Sequence, residues 1–162
     1  MNTSEIADTL TTLFAELVNG APRQGTYMLN PGDAGLLGSL DRLSAEAAST
    51  SSEGGATIAA HAEHLRYGLS LMNRWAGGEP NPFATADWTA AWKTTSVSDD
   101  EWAELRAGLR EEAQRWLQAL GTPREVQPIE LNGVVSSIAH LAYHLGAIRQ
   151  IDRTTRGPKA ND

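Results

Sequence analysis

Apolar residues recur at three- and four-residue spacing through four long stretches of the chain, the period of helices that bury one face. The first stretch covers residues 3–19 and carries Ile6, Leu10, Leu13, Phe14 and Leu17. Thr3 or Ser4 is placed to cap it, and Gly20 with Pro22 to stop it. The second runs from about Thr57 to Trp75, with Ile58, Leu65, Leu69 and Met72 inward, and ends in Gly77-Gly78-Glu79-Pro80-Asn81-Pro82. Ser98-Asp99-Asp100-Glu101 opens the third as a capping box with acidic residues in its first turn. That helix buries Trp102, Leu105, Leu109, Trp116, Leu117 and Leu120, and ends at Gly121 and Pro123. The fourth runs from about Leu131 into the early 150s, with Val134, Ile138, Leu141, Leu145 and Ile148 on its apolar side.

The connectors carry shorter signals. A loop through Tyr27 to Asn30-Pro31-Gly32 precedes Asp33, which is placed to cap a short helix with Leu36, Leu37, Leu40 and Leu43 on one side. Residues 49–55, Ser-Thr-Ser-Ser-Glu-Gly-Gly, read as a flexible polar connector. Trp88 and Trp92, four apart, predict a short helix packing across the long ones. No stretch alternates as a strand does, and no internal repeat is visible. The expectation is an all-α fold, an up-and-down four-helix bundle with extra short helices in the connectors. A single domain spans residues 1–155, and residues 156–162 form a frayed tail.

Composition narrows the function. A chain of 162 residues is long enough for one hydrophobic core. The net charge of −7, with Lys and Arg scattered, argues against a nucleic-acid surface. No run approaches the roughly 18 apolar residues of a membrane span. The N-terminus lacks the basic and apolar regions of a signal peptide, so a cytoplasmic protein is expected. Without cysteine there is no disulfide, no thiolate metal site and no cysteine nucleophile. Any metal must be held by His, Asp or Glu.

The four histidines fall in two clusters, His61-Ala62-Glu63-His64 and His140-Leu141-Ala142-Tyr143-His144. Residues four apart stack on one helix face, so His140 and His144 can ligate one divalent ion. A third imidazole from the second long helix would complete a three-histidine site with open positions. At about 100° per residue, His140 and His144 lie at the margin of the buried face rather than its middle. His64 sits about 110° from the apolar centre of its helix, an equivalent margin, and His61 about 50° from it. Such margins line clefts between helices. The competing explanation is that these are hydrogen-bonded packing histidines, the commoner role of a lone histidine on a half-buried face. The motif is not a zincin signature, because Leu141 stands where the glutamate belongs. It is not a di-iron bundle either, because the last helix has no Glu-x-x-His.

These segments, Thr57-Ile58-Ala59-Ala60-His61-Ala62-Glu63-His64-Leu65-Arg66 and His140 through Gln150, resemble the DinB-like (YfiT-like) superfamily of metalloenzymes, unrelated to the polymerase of that name. The resemblance covers nearly the whole chain, including the approach at Asn30-Pro31-Gly32 and the Trp88 region. It implies an up-and-down bundle whose metal is held by one histidine of the second long helix and two of the last. The family's first histidine precedes an aliphatic residue, as His64 precedes Leu65, so His64, His140 and His144 are the implied ligands. His61 is an alternate ligand or a residue supporting them. The implied cofactor is a divalent transition metal, zinc or nickel foremost, and relatives often form homodimers. Relatives also include transferases and isomerases that use a low-molecular-weight thiol, and a cysteine-free chain is compatible with a thiol brought in as cosubstrate.

Several residues near the motif bear on the chemistry. Glu63 points away from His64 on a helix, and Tyr143 lies off the ligand face. Gly146 would permit a close backbone approach at the site or a helix contact. Arg149 would meet an anionic substrate group or, more commonly, form a surface ion pair. No general base stands out, which favours thiol transfer to a small-molecule substrate over metal-dependent hydrolysis. A non-catalytic, stress-related binding or dimerisation bundle is the other alternative. The five tryptophans fit a core, a pocket wall or an interface, with core the commonest role.

Overall fold

The computed structural model describes residues 3–51, 53–122 and 124–160. Among these it is all helical, apart from one antiparallel bridge between Ser51 and Thr57. Seven α-helices run in the order α1 (Thr3–Asn19), α2 (Gly35–Leu40), α3 (Ala45–Ser49), α4 (Ile58–Ala76), α5 (Trp88–Ala91), α6 (Asp99–Gly121) and α7 (Pro128–Ile151). A 3-10 turn, Arg153–Thr155, follows. No helix among the described residues is long and apolar enough to cross a membrane.

The four long helices match the four apolar stretches. Ser98 caps α6 as expected: its hydroxyl accepts from the Glu101 amide, and the Glu101 carboxylate accepts from the Ser98 amide. Thr57 does the same service for α4 by accepting from the Ala60 amide at 3.2 Å. The cap of α1 and Pro123 lie outside the described residues, and Ser4 falls within the first turn of α1. Helix α7 starts three residues before its apolar pattern. Pro128 supplies a preset first turn there, and Gln127 with Glu130 closes a capping box.

The leucine-rich stretch after Asp33 divides in two. Helix α2 stops at Leu40, and Ser44 caps a new helix, α3, by accepting from the Ala47 amide. Leu43 is buried in the turn between them, where its carbonyl accepts from the Trp102 indole at 2.9 Å. Asp33 does not cap α2 in the usual position; Ala34 stands there, and the Asp33 carboxylate accepts from the Gly35 amide at 2.8 Å.

The long helices pack in the pairs α4–α6, α1–α6, α1–α7 and α4–α7. One contiguous core joins them, with Phe14, Trp102, Leu109, Trp116, Leu141 and Ile148 almost wholly buried. The loop between α1 and α2 is tied from inside. Buried Glu16 accepts from the amides of Tyr27, Met28 and Leu29, at 3.0, 2.8 and 2.6 Å. The two ends of that loop meet at Gly20 and Gly35, both at positive φ, where a Cβ on Gly35 would lie 2.4 Å from the Gly20 nitrogen. After α7 the chain folds back, and the Pro158 carbonyl accepts from Asn30 at 2.7 Å.

Candidate metal centre

All four histidines meet where α4 crosses α7. Ala59, Ala60 and Ala62 are buried beside His61 and His64 in the first turns of α4. His61, His64 and His144 are buried and His140 is half-buried. One nitrogen from each of His64, His140 and His144 can be chosen so that all lie within 4.8 Å of one another. His140 Nε2 sits 3.1 Å from His64 Nε2 and 2.9 Å from His144 Nε2. His61 stands outside this trio, with its Nδ1 2.7 Å from the other ring nitrogen of His144, Nδ1.

Burial holds all four rings below the ordinary histidine pKa. His64 is pushed down to about 4, by burial first and then by repulsion from His140 and His61. His144 is pushed down to about 3 by burial, with His140, His61 and His64 adding to it. For His61 and His140 burial alone lowers the value. At neutral pH the cluster is therefore a set of uncharged imidazoles whose ring nitrogens crowd together. Such neutral rings can share N–H···N bonds among themselves or turn their lone pairs to a bound cation.

The donors suit one. Neutral imidazoles bind zinc, nickel, iron or copper, and tetrahedral bonds of about 2.0–2.1 Å place donor nitrogens roughly 3.3 Å apart. The two separations from His140 Nε2 need to open by only a few tenths of an ångström. The three-histidine group could thus hold a divalent metal ion.

The rings are held differently. His64 stacks on Trp92, with centroids 4.4 Å apart and planes at 25°, while its Nδ1 is buried without a hydrogen-bond partner. His144 is fixed through the His61 contact and by the edge of Tyr143 at 5.1 Å. For His144 Nε2 to ligate an ion, its Nδ1 would carry the proton and donate to His61. Trp92 also meets His61 edge-on at 5.2 Å, and Trp88 lies 5.5 Å from His64. Helix α5 is thus a lid of indoles over the histidines. The spacing of Trp88 and Trp92 signalled the helix, but nothing in the sequence signalled that it would cover the metal candidates.

On one side the cluster opens to a cavity of about 890 Å³ between α4 and α7, with His64 and His140 in its wall. No Asp or Glu lines it. Glu63 is tied to Arg66 by two bonds, at 2.8 and 2.6 Å, away from the site. Arg149 does not reach the site either. It pairs with the buried Asp33 at 2.6 Å, as an internal ion pair rather than a surface one. Gly146 is exposed, with open space where a Cβ would stand, so neither role considered for it is used. Trp102 and Trp116 are core, whereas Trp75, Trp88 and Trp92 serve the site and its cavity.

No family model, curated protein or solved structure matches the chain.

Proposed function

We propose that the chain is a cytoplasmic, divalent-metal-dependent enzyme of the DinB-like kind, and that its four long helices form one up-and-down bundle. His64, His140 and His144 hold the ion, with zinc or nickel the expected metal, and His61 supports His144. The observation that carries this reading is the convergence of three uncharged imidazole nitrogens at the end of a cavity large enough for a small molecule.

When bound, such an ion lowers the pKa of a coordinated thiol or water and so supplies a nucleophile near neutral pH. The protein residues do the rest. His61 accepts the His144 Nδ1 proton and so keeps His144 Nε2 free to ligate. Trp92 fixes the plane of His64 by stacking. Trp88 and Trp92 keep water from that side of the cluster. The absence of a carboxylate in the cavity wall leaves no built-in base for hydrolysis, which favours transfer of a low-molecular-weight thiol. A homodimer is part of the same proposal and is read by sedimentation.

Metal analysis of tag-free protein tests the centre. Near one equivalent of a transition metal is expected in the native chain, and close to none in His64→Ala and His140→Ala. A native protein that takes up neither zinc nor nickel would sink the metalloenzyme reading and leave a helical packing module.

A further inference from the structure

The cavity beside the histidines has a chemical character that points to a substrate class. One wall is apolar, formed by Leu65, Leu69 and Met72 of α4, and Trp75 and Phe83 close the far end edge to face at 5.5 Å. Trp75 can lie against α7 because residue 133 is glycine: a Cβ there would come within 2.5 Å of the indole. The α7 wall carries a polar stripe, Asn132, Ser136 and His140, at successive four-residue steps. Ser137 is engaged already, donating to the Val134 carbonyl and accepting from the Trp116 indole. Asn132 and Ser136 make no hydrogen bond within the protein among the described residues, and both are exposed.

Among the described residues, no charged side chain lines the cavity. Of the charged groups next to lining residues, Arg74 is paired with Glu79 and Glu130 with Arg124, while the Asp87 carboxylate accepts from the Ala90 amide at the start of α5. An ionised ligand would therefore lose water without gaining a countercharge, which is unfavourable in an apolar wall. At the mouth, Trp88 and Ile129 remain 39% and 68% exposed, apolar surface that a ligand would cover.

We infer that this cavity takes an uncharged small molecule with an elongated aromatic or aliphatic body and hydroxyl or amide groups along one edge. Its body lies between Trp75 and the leucines of α4, its polar edge faces Asn132 and Ser136, and its reacting end reaches His64 and His140. The position of the reacting end rests on the metal-centre proposal; the preference for a neutral, apolar body does not.

The test uses three probes of one shape and different charge: 4-phenylbutan-1-ol, 4-phenylbutyrate and 4-phenylbutylammonium. Each is titrated into full-length protein, zinc-loaded and chelator-treated, following indole N–H signals by NMR, with zinc content measured on the same samples. Trp75→Phe and Trp88→Phe assign the two cavity signals. In the chelator-treated protein the alcohol should bind at least about tenfold more tightly than either ion, because only the ions lose solvation unpaired. It should move the Trp75 and Trp88 signals and leave that of Trp102 in place. Ser136→Leu, which fills the cavity from an exposed position, should abolish binding; Gly68→Leu gives a second way to fill it. An ion binding as tightly as the alcohol overturns the inference, as does undiminished alcohol binding in a folded filled variant. Zinc uptake with no alcohol binding overturns the inference alone. Alcohol binding without zinc uptake overturns the metal centre and supports the inference.

Discussion

Helix α7 carries two buried polar clusters, and they are built on opposite principles. Around Arg149, the carboxylates are well answered: Asp33 meets Arg149 and takes the Gly35 amide, and Glu16 takes three amides of the adjoining loop, while only the Arg149 Nε is left without a partner. Five and nine residues earlier on the same helix, His144 and His140 crowd their ring nitrogens with those of His64 and His61, and the four rings meet one another with no carboxylate between them. The first arrangement holds a loop and the C-terminal segment in place. The second leaves four desolvated rings that a divalent ion could tie together.

Acid should separate the two clusters most strongly. The histidine pKa values are lowered on folding, so the unfolded chain takes up protons first as the pH falls. Stability from this source is complete above the ordinary value of about 6.5 and is lost progressively toward about 4 and below. The thermal midpoint of metal-free protein should fall steeply between pH 7 and pH 4, and less steeply in His144→Gln. A midpoint flat from pH 7 to pH 5 would contradict the burial of four uncharged rings.

Asp33→Ala strikes the satisfied cluster. It strands Arg149 in a half-buried setting and should cost about 3–5 kcal/mol by denaturant unfolding. Zinc stoichiometry in the folded variant should stay at the native value; parallel loss of zinc would show that the two clusters are coupled through α7.

His140→Ala strikes the frustrated one. Native protein at a hundredfold excess of zinc over its dissociation constant should gain about 2.7 kcal/mol of stability, and the variant should gain none. The metal-free variant should be as stable as the metal-free native chain or nearly so. A large loss of stability without metal would mean that the ring is a packing residue.

The smallest effect is expected at His61. His61→Ala should weaken zinc about 10–100-fold without abolishing it, since it removes an acceptor behind His144 and not a ligand. Abolished binding would promote His61 to the ligand set, and unchanged affinity would remove its supporting role.

Much of the scaffold could be read from the sequence because its signals are local. Ser98 with Glu101, and Thr57 ahead of an apolar run, set helix starts that the structure keeps. The apolar pattern starts α7 three residues late because Gln127, Pro128 and Glu130 act through capping, which such a pattern does not register. Ser44 likewise divides a leucine-rich stretch that periodicity joins. The histidine clusters stood out by spacing, but which ring nitrogen faces which depends on how α4 crosses α7, a long-range fact. For the same reason Arg149 found Asp33, more than a hundred residues earlier in the chain, and Trp92 found His64.

The stacking of Trp92 on His64 also makes the protein its own optical gauge. The emission of an indole responds to charge and to heavy ions in van der Waals contact with it, and at 4.4 Å Trp92 is the fluorophore in closest register with the candidate ligands. Binding of an ion at the cluster should therefore change the emission of Trp92, with Trp88 beside His64 a second contributor. Trp102, sealed in the core with its indole bonded to Leu43, is a steady internal reference for that signal.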